Sequence, residues 1–135
     1  MENTFFKKMK VKPGFIARVI NEPKDYPRNN IDFIIDDKAT ECDFVHVFVN
    51  SQEDFEKYIE LAKSICKKDA LLWISYPKVK GKVKYDINRD SLWDLALNHN
   101  LHPVSQISIN DDYSAVRLKF HNESEKGEFK RPNKK

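Results

Sequence analysis

Residues 43–49, Asp-Phe-Val-His-Val-Phe-Val, are apolar on both faces that a strand's alternation creates, with Phe44, His46 and Phe48 on one and Val45, Val47 and Val49 on the other. Only a strand covered on both sides has use for that pattern, so the segment predicts the centre of a sheet. Ser51 follows as a helix N-cap, with Asp54 three residues on as a variant of the capping box. Phe55, Tyr58, Ile59, Ala62, Ile65 and Cys66 then recur at helical spacing and form a stripe one face wide. Residues 70–76 are again apolar on both faces. Strand, helix and strand therefore make a right-handed parallel crossover, and the fold class is α/β.

The remaining elements extend that unit. Residues 15–20 form a first strand, bounded by Lys12-Pro13-Gly14 and by Asn21-Glu22-Pro23. Residues 31–35 form a second, shorter strand. Only residues 36–42 separate it from the third, too few for a covered parallel crossover, so it is either an edge strand with a stretched return loop or antiparallel to its neighbours. A helix over 91–98, capped by Asp90 and facing inward through Leu92, Trp93 and Ala96, leads to strands at 102–109 and 114–120. These two form a closing antiparallel β-hairpin around Asn110-Asp111-Asp112.

At 135 residues the chain fits a single domain, assigned to 1–120. Residues 121–135 form a charged tail, expected to be disordered or loosely attached. The formal charge is +3. Five Lys/Arg against three Glu in the tail leave the body nearly neutral. A nucleic-acid binder concentrates basic charge on its folded surface, so no nucleic-acid role is expected. No stretch has the length and apolarity of a membrane span or signal peptide, and the expected location is cytoplasmic. Cys42 and Cys66 lack metal-ligand spacing and are expected as reduced thiols.

In an open parallel sheet, ligands bind beyond the carboxyl ends of the strands. That edge gathers Asn21 after the first strand, Asn50 and Ser51 after the third, Lys78 after the fourth, and the hairpin turn leading to Ser114. Lys78, Arg89 and the amides at the helix starts capped by Ser51 and Asp90 are a candidate anion site. Arg117, inside the last strand, either pairs with a carboxylate or extends toward the site. Trp73 and Trp93 are core aromatics or stacking surfaces. His46 reads as a core histidine with one satisfied hydrogen bond, and His99, His102 and His121 as surface residues. Asp111-Asp112 reads as a turn before it reads as a carboxylate pair.

Several signatures are missing. The turn Asn21-Glu22-Pro23 has no Gly-x-Gly, the clearance a dinucleotide or adenosine cofactor needs, and the chain has three glycines in all. There is no phosphate-binding P-loop, nucleophile elbow or His-Glu-x-x-His. No cofactor, metal or catalytic set is expected.

Trp73-Ile74-Ser75-Tyr76-Pro77-Lys78, then Asp86-Ile87-Asn88 opening a helix, then Asp112-Tyr113-Ser114-Ala115-Val116-Arg117 resemble, in order and spacing, an uncharacterised bacterial family of short α/β proteins carrying a domain of unknown function. The likeness covers roughly residues 8–120. One departure is Tyr113, where the pattern usually has Trp. The resemblance implies a three-layer Rossmann-like domain like a truncated methyltransferase core, with the final hairpin present and the glycine loop lacking, and it implies no activity. The favoured function is a non-enzymatic binding or regulatory module for a small anionic metabolite or acidic protein partner. The alternatives are a reduced methyltransferase-like enzyme and a homo-oligomeric interaction subunit, a homodimer being the form considered, with no membrane role.

Overall fold

The computed structural model describes residues 2–79 and 84–120. Nine elements follow in chain order: α1 (Phe5–Lys8), β1 (Ile16–Ile20), β2 (Ile34–Ile35), β3 (Cys42–Phe48), α2 (Gln52–Ser64), β4 (Cys66–Pro77), α3 (Arg89–Asn98), β5 (Leu101–Ser108) and β6 (Tyr113–Phe120). One six-stranded sheet has the order β2-β1-β3-β4-β6-β5. The β2-β1, β1-β3 and β3-β4 pairs are parallel, whereas β6 runs antiparallel to both β4 and β5. The doubly apolar β3 sits inside the sheet between β1 and β4, as its alternation requires.

The two faces of β3 feed two separate cores. Val45, Val47 and Val49 pack with Leu72, Ile74 and Tyr76 of β4 against Phe55, Ile59 and Ala62 of α2 and Leu92 and Ala96 of α3. Phe44 and Phe48 instead join Trp73, Tyr26, Phe33, Phe5, Phe6 and Met9. Among the described residues, that second face carries no long helix. The single turn α1 lays Phe5 and Phe6 onto it, and the Trp73 indole N–H donates to the Met9 carbonyl at 3.2 Å. The lead-in to the first strand is thus part of the core.

Some local expectations change. Strand two is a two-residue edge strand, parallel to β1, which resolves the short return to β3. β4 begins at Cys66 rather than at residue 70, because Cys42 pairs with Cys66 before β4 bulges out through Asp69 at φ 64. The cap of α3 is Asn88, not Asp90. Asn88 has extended backbone, its side chain accepts from the Ser91 N–H, and the Ser91 hydroxyl accepts from the Asn88 N–H, a reciprocal capping box. Asp90 lies in the first helical turn, where its charge favours the helix dipole. Trp93 is half-buried rather than sealed, and His102 is buried rather than on the surface. His121 and the 121–135 tail lie outside the described residues, and so does the middle of the basic loop at 80–83.

Candidate functional site

The order β2-β1-β3 puts the topological switch point between the carboxyl ends of β1 and β3, where α/β sheets open a ligand crevice. Here the chain bridges it. Asn21 adopts left-handed backbone at φ 58, the conformation a glycine would otherwise supply, and its side-chain amide donates to the Phe48 carbonyl at 2.9 Å. Its side chain therefore ties the end of β1 to the end of β3 across the place where a cofactor's backbone-hugging approach would run.

The start of α2 is occupied too. The Ser51 hydroxyl accepts from the Asp54 N–H at 3.0 Å, and the Asp54 carboxylate accepts from the Asn50 N–H at 2.9 Å. The next amide, Gln52 N–H, donates to the Asp86 carboxylate at 2.9 Å, and the Gln52 side chain returns a 2.6 Å bond to the Asp86 carbonyl. A helix start that favours anions has taken one from its own chain. Asn50 and Ser51 are consequently engaged in capping.

The picture differs along the β4–β6–β5 end. Alternation puts Tyr76 and Lys78 of the β4 edge, Ser114 of β6, and Gln106 and Ser108 of β5 on the helix-covered face, since Tyr76 pairs with Ser114 and Ser114 with Ser108. Lys78 is half-buried as a residue; its ammonium makes an exposed 2.6 Å hydrogen bond to the Ser108 hydroxyl, and its N–H donates to the Asp112 carbonyl at 2.8 Å. Gln106 donates to the Tyr76 hydroxyl at 2.9 Å. Burial pushes the Tyr76 phenol up, opposed by the charge of Arg89 and by hydrogen bonds with Ser114 and Gln106. Arg89, at the first turn of α3, is solvent-exposed, with Asp90 3.8 Å away. Lys78 and Ser114 thus share the Ser108 end of the hairpin, Arg89 acts on Tyr76 from the start of α3, and Asn21, Asn50 and Ser51 lie at the neighbouring crevice.

Arg117 belongs to neither. It pairs with Trp73 and Ser105 in mid-sheet on the aromatic face, and its Nε is buried without a hydrogen-bond partner among the described residues. The hairpin turn behaves as a turn, with the Asn110 side chain accepting from the Asp112 and Tyr113 N–H groups.

On the aromatic face, the His46 ring nitrogens lie 2.9 Å from the Tyr26 hydroxyl through Nδ1 and 2.6 Å from the Ser75 hydroxyl through Nε2. Serine, imidazole and a third group in line is the geometry of nucleophilic activation, but Ser75 and His46 are both 0% exposed, so no substrate reaches them. Burial lowers His46 to about 3 and holds the Tyr26 phenol well above its ordinary value, which keeps the chain of groups neutral. Both cysteines are free, and burial pushes Cys66 up to about 12, leaving a poor nucleophile. Among the described residues, no group of three His, Cys, Asp or Glu is placed to hold a metal, and no helix is long and apolar enough to cross a membrane.

With this geometry in place, comparison with solved structures identifies the architecture. A SAM dependent methyltransferase from Aquifex aeolicus superposes with a TM-score of 0.58 at 11% identity, covering 84% of this chain and 86% of the other. The ribosomal protein L11 methylase of Lactobacillus delbrueckii subsp. bulgaricus gives 0.54 at 8% identity, over 87% of this chain and 75% of its own. The fold is methyltransferase-like Rossmann. The M1A22 tRNA methyltransferase TrmK of B. subtilis is similar at a TM-score of 0.51 and 8% identity, over 93% and 68% of the two chains. Identities this low establish the fold alone. No family model matches the chain, and no curated protein sequence does.

Sequence reasoning missed Tyr26, Ser75, Asp86, Gln106 and Ser108 as members of these clusters. Pairing the two hairpin strands outward from Asn110-Asp111-Asp112 would have placed Ser108 beside Ser114. Asp86 on Gln52 carried no local signal, because the residues are far apart in sequence.

Proposed function

We propose that this chain is a non-enzymatic binding module built on a methyltransferase-like sheet, taking a small anionic metabolite at the Lys78 rim. The observation that carries this is the Lys78 ammonium, which stands at the ligand edge in an exposed hydrogen bond to the Ser108 hydroxyl that orients the charge without neutralising it. Tyr76, Ser114 and Gln106 stand behind it on the same face as neutral hydrogen-bonding groups. Asn21 bridging β1 to β3, and Asp86 on the start of α2, argue against the cofactor position used at a Rossmann switch point.

The likeness to solved methyltransferases supports one competing reading, a reduced methyltransferase-like enzyme using another route to S-adenosylmethionine. Thermal shift with inorganic phosphate, phosphorylated metabolites and S-adenosylmethionine separates the two. A rise with a phosphorylated compound that disappears in Lys78→Ala and weakens in Ser108→Ala supports the rim. A rise with S-adenosylmethionine that survives Lys78→Ala overturns it in favour of the enzyme.

A further inference from the structure

We infer that the groove between α3 and β5 is a subsite for a planar aromatic ring, so that the ligand of the Lys78 rim is an aromatic compound carrying a phosphate or carboxylate. This rests on the reading of the rim as anion-binding. Arg89 and Trp93 are four residues apart on α3 and therefore neighbours on one face of the helix. Together with Pro103, Val104, Gln106 and Val116 they line a cavity of about 340 Å³, within the size range of small-molecule sites. While Leu92 and Ala96 of the same helix are sealed in the core, Trp93 is only half-buried, and Val104 across the groove is 43% exposed. The groove thus sets a half-buried indole, its nitrogen turned away from solvent, beside an apolar wall.

The two ends of this site differ in chemistry. Arg89 marks the end toward the rim, because α3 starts at the carboxyl edge of the sheet and β5 ends there with Ser108. Lys78 sits on Ser108, and Gln106, two residues earlier on the same face of β5, lines the groove while hydrogen-bonded to Tyr76. The exposed Arg89–Asp90 contact at 3.8 Å is a weak competitor for an incoming anion. Cationic groups at one end and an indole at the other complement a flat ring with an anionic substituent.

Titration of the full chain with phenyl phosphate and with inorganic phosphate tests this, followed by indole fluorescence, since Trp73 is sealed and Trp93 is half-buried in the groove, and by calorimetry. Phenyl phosphate is expected to bind roughly tenfold tighter or better, the scale of one ring stacked on an aromatic side chain. Trp93→Ala should erase that advantage and leave phosphate affinity unchanged, and Trp93→Phe should retain part of it. Val104→Glu, at an exposed position that leaves the core intact, should also cut phenyl phosphate affinity. Equal, Lys78-dependent binding of both probes overturns the ring subsite and leaves the rim standing. Phenyl phosphate binding that depends on Trp93 but not on Lys78 overturns the rim and leaves the ring subsite. Binding of neither probe overturns both.

Discussion

His46 shows how much one side chain can decide. An imidazole among Phe5, Tyr26, Phe44 and Phe48 loses its hydration, and only the neutral ring is tolerated there, with hydroxyls on both nitrogens. Sequence alternation placed it in the core with one bond satisfied, but Tyr26 and Ser75 come from distant segments and could not be paired with it by spacing. Because burial lowers its pKa in the fold to about 3, below the ordinary value near 6.5, its contribution to stability is full above pH 6.5 and is lost as pH falls toward 3. The unfolded chain takes up a proton that the folded chain refuses, so this residue adds a slope of about 1.4 kcal/mol per pH unit in that window. Urea unfolding at pH 7 and pH 4.5 checks this. His46→Leu should be less stable at pH 7 by about 1–3 kcal/mol, since two buried hydroxyls lose a partner, and its pH slope should be shallower than that of the wild type. At Asn21, the left-handed backbone separates two further substitutions. Asn21→Ala should lose about 1–2 kcal/mol through strain and the lost bond to Phe48, and Asn21→Gly should lose less, measured by the same unfolding curves.

Among the elements, the helix starts show where sequence signals hold and where they mislead. Ser51 was legible because Ser-x-x-Asp stands directly before the apolar stripe of α2, and the cap forms as read. Asp90 lies just before Leu92 and Trp93 and has the right chemistry for a cap, yet the helix and its cap begin two residues earlier. Asn88-x-x-Ser91 satisfies two amides reciprocally where Asp90 would satisfy one. Strand two was legible as short and awkward, but its direction depends on β1 and the residue before it, Phe15, whose carbonyl receives the Ile34 N–H. Asp86 binds one helix's first amide from the segment leading into the other, so it couples α2 to α3. Asp86→Ala should therefore destabilise the fold by about 1 kcal/mol, the usual scale of a lost cap, and Asn88→Ala by a similar amount. Chemical denaturation reads both; the coupling fails if Asp86→Ala leaves the midpoint unchanged.

For the molecule as a whole, the α/β class and the closing hairpin were readable from alternation and spacing, but the covering of the second sheet face was not. A four-residue helix has no period to detect, and Phe5, Phe6 and Met9 look like a lead-in until the sheet gives them something to cover. In the fold they are core residues, 1%, 7% and 0% exposed, and the Met9 carbonyl receives the Trp73 indole. Truncating one buried Phe costs about 3–5 kcal/mol, against about 5–15 kcal/mol for the stability of a whole domain. Phe5→Ala should therefore lower the melting temperature sharply, and removal of residues 2–9 should strip enough of the aromatic core to abolish cooperative unfolding. Near-ultraviolet circular dichroism should collapse while far-ultraviolet signal persists, with dye binding to the uncovered Phe44, Phe48 and Trp73 face. Lys7→Ala, an exposed change on the same turn, should stay within about 0.5 kcal/mol of the wild type. A truncated chain that melts cooperatively within a few degrees of the full one would show that the sheet seals this face without α1. The helix-covered core of α2 and α3 would then have to carry the stability alone.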